Sequence, residues 1–197
     1  MLASCPDLKV IILGGESINI GNVKKLAEKC RWMKFINHYG PTESTVGCIA
    51  HSIDLEHIQN CEIYNRIGRP IHGINIYIVD RSDQLVPVGA PGEICISGVG
   101  LASGYVNNEE LTNEKFIDNP FHRGAKMYKT GDLGRWMPDG NIEFLGRIDN
   151  QIKIRGFRVE IGEIENQLLQ LEGIKEAAVV YIEEKYLSAY ITGDIEM

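Results

Sequence analysis

Between Val46 and Glu143 short apolar runs are cut at close intervals by turn residues. Ile74–Val79 stops at Asp80-Arg81-Ser82-Asp83, Glu93–Ser97 stands apart, and Asn141–Leu145 follows Pro138-Asp139-Gly140. Runs this short cannot build amphipathic helices, and the turn chemistry between them predicts a β-rich module. One helix is predicted to interrupt it near Glu109–Phe116, with Asn108 as its cap. The first 40 residues read differently. Leu8–Leu13, rich in β-branched residues, predicts a buried strand that ends at Gly14-Gly15-Glu16. Ser17 then opens a helical pattern through Cys30, and Met33–Ile36 reads as the next strand. A connection of that length accommodates a helical crossover, so the two strands are predicted parallel.

Beyond Arg147 the pattern changes again. Gln151–Arg155 alternates polar and apolar residues up to Gly156, and Ile161, Ile164, Leu168 and Leu171 recur at helical spacing. Glu176–Ile182 and Leu187–Ile191 read as two strands. The spacing predicts α/β followed by α+β architecture, with a break at 147–150 and a second unit that looks truncated because one face of its sheet lacks a cover.

Composition narrows the function. The 197 residues are 44% apolar and 24% charged, as in an ordinary globular protein. With 20 Lys plus Arg against 27 Asp plus Glu, the net charge of −7 argues against nucleic acid as a partner. Apolar runs such as Val10–Leu13 and Ala177–Ile182 are too short to span a bilayer, and no secretory pattern opens the chain. The five cysteines contain no C-x-x-C pair and read as reduced packing residues. A soluble, cytoplasmic chain without membrane partners is expected.

The densest polar stretch is Asn37-His38-Tyr39-Gly40-Pro41-Thr42-Glu43, which follows a predicted strand. Ligands of open α/β sheets bind at such strand ends. Tyr39 offers a flat face for a base, Thr42 a hydroxyl for phosphate and Glu43 a hard carboxylate for Mg²⁺. A Gly-Pro turn with a capping Thr and a surface Glu is the plain alternative. Gly98–Gly104 lacks the spacing of a dinucleotide loop, and no phosphate-binding G-x-x-x-x-G-K-[ST] occurs. Those glycines read as tight turns. In Tyr128-Lys129-Thr130-Gly131-Asp132 the acid follows a predicted strand and suits either a ribose diol or a turn cap. Residues 146–158 form a cationic hairpin, either solvated or facing an anionic group. The histidines show no convergent metal spacing; His57 and Cys61, four apart, lack a second pair.

Five motifs in order, GGE, N-x-YGPTE, GEICISGVGLASGY, YKTGD and GRIDNQIKIRGFRVEIGEIE, resemble the later half of an amino-acid adenylation domain of nonribosomal peptide synthetases, a branch of the acyl-adenylate-forming ligases. The resemblance runs from about Leu8 to the C-terminus. It implies that residues 1–146 end a large N-terminal domain, that 147–150 form a hinge centred on Asp149, and that 151–197 begin a small C-terminal domain. The implied reaction joins ATP and an amino acid into aminoacyl-AMP, then passes the acyl group to the phosphopantetheine thiol of a carrier. Peptidyl carrier and condensation domains of the same synthetase are the implied partners. Gly15 and Glu16 would border the adenine, Tyr39 would stack on it, and Asn37 and Gly40 would complete the nucleotide contacts. Thr42 would bond the α-phosphate and Glu43 would hold Mg²⁺, the two implied catalytic positions. Asp132 and Arg147 would bind the ribose, with Phe144 beside them. Lys153, Arg155 and Gly156 would belong to a hairpin that serves thiol transfer.

The family's phosphate loop would lie before residue 1 and its catalytic Lys beyond Met197, so the 197 residues alone are expected not to adenylate. By the same resemblance the amino-acid pocket would be lined by Ile12, Gly14, His38, Val46 and Gly47. His38 is its one polar member, and a substrate carboxylate would pair with it. L-aspartate is the expected substrate, with asparagine next. A domain that keeps a nucleotide pocket or carrier-docking face without chemistry is the alternative, as is a stand-alone amino-acid–carrier ligase. Luciferase-like or acyl-CoA chemistry fits these loops less well.

Overall fold

The structure is a computed structural model that describes residues 7–16, 18–30, 32–55, 65–149, 151–154, 157–182 and 186–194. It divides into two compact units, Met1–Ile148 and Asp149–Met197. The first is built on a nine-stranded sheet in which β1 (Val10–Gly14), β2 (Lys34–Tyr39), β3 (Ile49–Ser52), β4 (Arg66–Pro70), β9 (Ile142–Arg147), β8 (Lys126–Trp136), β6 (Gly92–Gly98) and β5 (Ile74–Val79) lie side by side in that order. The short β7 (Phe116–Asp118) pairs with β8.

Among the described residues the one parallel pair is β1 with β2, in register from Val10 opposite Lys34 to Gly14 opposite His38. Helix α1 (Ile20–Lys29) makes the crossover. Asn19 caps it by accepting the Asn22 N–H at 3.0 Å; Ser17, expected to open the helix, lies outside the described residues. The helix lays Ile20, Val23, Leu26 and Ala27 on Ile11, Leu13 and Phe35. The strand around β1 was expected to be buried, and it is covered on one side only: Ile12 on the other side is 62% exposed. Helix α2 (Glu109–Lys115) falls where expected, with Asn108 accepting the Leu111 N–H at 3.0 Å.

The antiparallel strands enclose a second core of Ile67, Ile76, Ile78, Ile94, Ile96, Phe116, Tyr128 and Ile142. Strand β8 runs 11 residues and borders β6, β7 and β9. Asp132, expected just after a strand, therefore sits inside one. Cys30, Cys48 and Cys95 are buried free thiols; Cys5, His57 and Cys61 lie outside the described residues.

In the second unit β10 (Gln151–Ile154) and β11 (Phe157–Glu160) form an antiparallel hairpin. Helix α3 (Ile161–Leu169) follows, then the antiparallel pair β12 (Ile174–Ile182) and β13 (Tyr186–Gly193). Glu165 of α3 accepts the Val179 N–H at 2.8 Å, fastening the helix to β12.

Candidate functional site

Because β1 and β2 are parallel, their carboxyl ends fall at one end of the sheet, where Gly14 lies beside His38; Gly15 and Glu16 follow β1, and Tyr39 ends β2. Asn37, His38 and Tyr39, expected in a loop, are the last residues of β2. Alternation along the strand sends Asn37 and Tyr39 to one face and His38 to the other. The Asn37 side chain donates to the Arg66 carbonyl at 2.9 Å.

On the first face the Tyr39 hydroxyl donates to Asp132, and Arg147 Nη1 donates to the other carboxylate oxygen at 2.7 Å. Asp132 and Arg147 are directly opposed across β8 and β9. Asp132 is 7% exposed and Arg147 half-buried, so the carboxylate is the buried end of the ion pair. Burial of the Tyr39 phenol, and then the adjacent Asp132 charge, push its pKa well above the usual tyrosine range. Tyr39 is therefore a fixed donor at neutral pH. Phe144 tilts against it, ring centroids 6.1 Å apart.

Past Gly40-Pro41 the chain makes a 3₁₀ turn, Thr42–Ser44, that buries Glu43. Glu43 Oε1 accepts the Tyr105 hydroxyl at 2.7 Å, and its carbonyl accepts the Ala102 N–H at 2.8 Å. Thr45 and Val46 follow with φ of 61° and 71°, a left-handed conformation that β-branched side chains rarely adopt. Thr45 is held by its hydroxyl donating to the Gly100 carbonyl at 2.7 Å. The segment around Gly98–Gly104 thus does more than turn the chain: it clamps the Thr42–Val46 bend.

On the second face, Gly14 stands opposite His38, and a Cβ added to Gly47 would lie 1.6 Å from the His38 ring. Ile12 shares that side of β1, and Val46 is 74% exposed. Ile12, Gly14 and Gly47 thus fall on the His38 side of the strand pair, and Val46 precedes Gly47 in the chain. Asp149 Oδ1 accepts the Gln151 N–H at 3.1 Å at the start of the second unit. Lys153 lies on β10 opposite Arg158; Arg155 and Gly156 lie outside the described residues.

Spacing alone missed three side chains. Tyr105 holds Glu43 from 62 residues away. Glu93 accepts the Gly131 N–H and Thr130 the N–H of Asp132 itself. A Thr-Gly-Asp inside an otherwise alternating run was the available signal, because such a break marks a bulge. Among the described residues no three His, Cys, Asp or Glu side chains cluster as a metal cage. Glu43 is a hard carboxylate of the kind Mg²⁺ takes, buried at 6% exposure with Oε1 engaged by Tyr105.

Residues 2–106 match the family described as AMP-binding enzyme. The chain belongs to that family. It is 50% identical over 194 residues to bacitracin synthase 3 of Bacillus licheniformis, covering 95% of this chain and 3% of that protein. With gramicidin S synthase 2 of Aneurinibacillus migulanus it shares 49% over 193 residues, 95% of this chain and 4% of the relative. Among solved structures, the NRPS protein PA1221, containing adenylation and PCP domains, superposes with a TM-score of 0.83 at 29% identity, over 97% of this chain and 39% of that one. The AMP-binding chain therefore spans a small part of the synthetases it resembles, and the mixed α/β fold is that of the adenylation-domain structures. No helix among the described residues is long and apolar enough to cross a membrane.

Proposed function

We propose that this chain is the later part of an amino-acid adenylation domain whose full-length protein activates aspartate and loads it onto a phosphopantetheine carrier. The observation that carries the reading is the convergence of Tyr39, Asp132 and Arg147 at the carboxyl edge of β1 and β2, from positions 93 and 15 residues apart in sequence. In the reaction an oxygen of the amino-acid carboxylate bonds to the α-phosphorus of ATP, and the bond to pyrophosphate breaks. The carrier thiol then bonds to the acyl carbon, gives up its proton, and AMP leaves.

Tyr39 and Phe144 supply the aromatic wall for adenine, bordered by Gly15, Glu16, Asn37 and Gly40. Asp132 accepts the ribose hydroxyls while Arg147 balances its charge. Thr42 donates to the α-phosphate, where negative charge accumulates, and Glu43 meets the Mg²⁺ that ATP carries. The second unit, from the hinge at Asp149 through the hairpin of Lys153, Arg155 and Gly156, serves thiol transfer. Carrier and condensation domains are its partners.

His38 selects the substrate. Gly47, lacking a Cβ, lets the His38 ring lie against its backbone, and a substrate β-carboxylate would bond to the imidazole, whereas an apolar side chain would leave a polar group unmatched. In the full-length protein, pyrophosphate exchange should run best with L-aspartate, less with asparagine, and fall by about 100-fold or more in Asp132→Ala. Exchange that is independent of every amino acid, or indifferent to Asp132→Ala, would refute this assignment.

A further inference from the structure

Asp132 reaches its partners because β8 bulges where it passes β6. Cys95 pairs with Lys129 and Glu93 with Leu133, so Thr130, Gly131 and Asp132 together stand opposite Ile94. Gly131 sits at φ 73°, where glycine carries no Cβ penalty. A bulge takes backbone groups out of the ladder, and buried donors then need other acceptors. Here side chains supply them. The Gly131 N–H donates to Glu93 Oε1 at 2.8 Å, and the Asp132 N–H donates to Thr130 Oγ1 at 2.9 Å. The Thr130 hydroxyl in turn donates to the Ile94 carbonyl at 2.6 Å. The bulge's own carbonyls hold the far strand: Thr130 O accepts Arg147 Nη1 at 3.2 Å, and Gly131 O accepts the Ile148 N–H at 2.8 Å.

We propose that Glu93 is a positioning residue for the nucleotide site. By accepting the Gly131 N–H it keeps the bulge that aims Asp132 at the ribose, with Thr130 as the second fastener. The proposal rests on the ribose reading of Asp132 given above. What the bulge needs from Glu93 is an oxygen acceptor. Its other oxygen lies 3.9 Å from Lys129, an ammonium already bridged to Asp83 at 2.7 Å. Gln at 93 retains the acceptor and Ala does not.

The test compares the affinity of the full-length protein for ATP and for 2′,3′-dideoxy-ATP, which differ only in the diol. Wild type should prefer ATP by about tenfold or more, the worth of hydrogen bonds to a charged group. Glu93→Ala should collapse that ratio to within about twofold without weakening dideoxy-ATP, and Glu93→Gln should keep it. A general loss of structure would weaken both nucleotides together. If Glu93→Ala fails to fold, Thr130→Val carries the test, with the same collapse expected. An undiminished ratio in Glu93→Ala or Thr130→Val, while Asp132→Ala abolishes it, overturns the positioning role. A wild-type protein that does not distinguish the nucleotides, or an Asp132→Ala variant that still does, refutes the ribose reading instead.

Discussion

Strand β2 carries two sites that are held in opposite ways. On the Tyr39 side the polar groups are hydrogen-bonded to one another around a buried Asp132 and Thr130: the phenol to Asp132, Asp132 to Arg147, and the backbone beneath to Glu93 and Thr130. On the His38 side the neighbours are the glycines 14 and 47, against which the residue packs too closely for any Cβ, and packing rather than bonding defines the surface. The difference matches the two tasks proposed for these faces. A nucleotide is the same molecule in every turnover and rewards a rigid, preorganised receptor. An amino-acid side chain is what one pocket must tell from another, and that discrimination is set by which groups project into an open space.

If the Tyr39 side is held by its buried pair, removing the cation should do the most damage. Arg147→Ala leaves the Asp132 carboxylate buried without its guanidinium and should cost about 3 kcal/mol in chemical denaturation. Replacing both partners, Asp132→Leu with Arg147→Met, should cost less than Arg147→Ala alone, because no charge is then stranded. Equal costs would mean that packing, and not charge, holds this face.

The same face should announce itself at alkaline pH. Tyr39 has a folded pKa raised by burial and by Asp132, so the unfolded chain ionises first. The folded state then binds more protons, and the contribution of Tyr39, whole below about pH 10, is lost as pH rises through the folded value. Cys48, pushed up to about 11 by burial, adds to the fall from about pH 9. Each group contributes at most about 1.4 kcal/mol per pH unit. Tyr39→Phe should flatten the loss of stability above pH 10, measured by urea denaturation in a pH series, and an unchanged slope would place its ionisation elsewhere.

The sequence made local features legible and long-range ones not. Ile74–Val79 and the Asn108-capped helix are where their patterns put them, because period and capping act over a few residues. Asn37–Tyr39 looked like a loop because polar residues dominate it, yet β3 pairs with it and makes it strand. Asp132 looked like a strand end because Thr-Gly interrupts the alternation; the sheet absorbs the interruption as a bulge and continues to Trp136. That Tyr39, Asp132 and Arg147 belong together was readable from the motifs, but Tyr105 against Glu43 was not, since nothing in spacing signals a contact across 62 residues.

On the open side, Gly47→Ala should matter through His38. The new methyl would overlap the ring, with the imidazole carbon at 1.6 Å, so the ring must leave its place. The preference for aspartate over asparagine in pyrophosphate exchange should drop by about tenfold, with the KM for ATP unchanged because Tyr39 faces away. A change in both constants would show that the two sides of β2 are coupled.

The smallest effect should have the opposite sign. Val46 holds φ at 71°, a conformation that costs a β-branched residue on the order of 1–3 kcal/mol. Glycine removes that strain but gives back about 0.4–1 kcal/mol through the freer unfolded chain. Val46→Gly should therefore stabilise the fold by about 1 kcal/mol and raise Tm, while loosening the pocket and raising the KM for the amino acid. Thr45, at φ 61°, is the control: its glycine variant also loses the bond to the Gly100 carbonyl, so the gain should vanish. Stabilisation by both variants would mean that the Gly100 contact contributes nothing, and stabilisation by neither that the bend between the two sites is not strained.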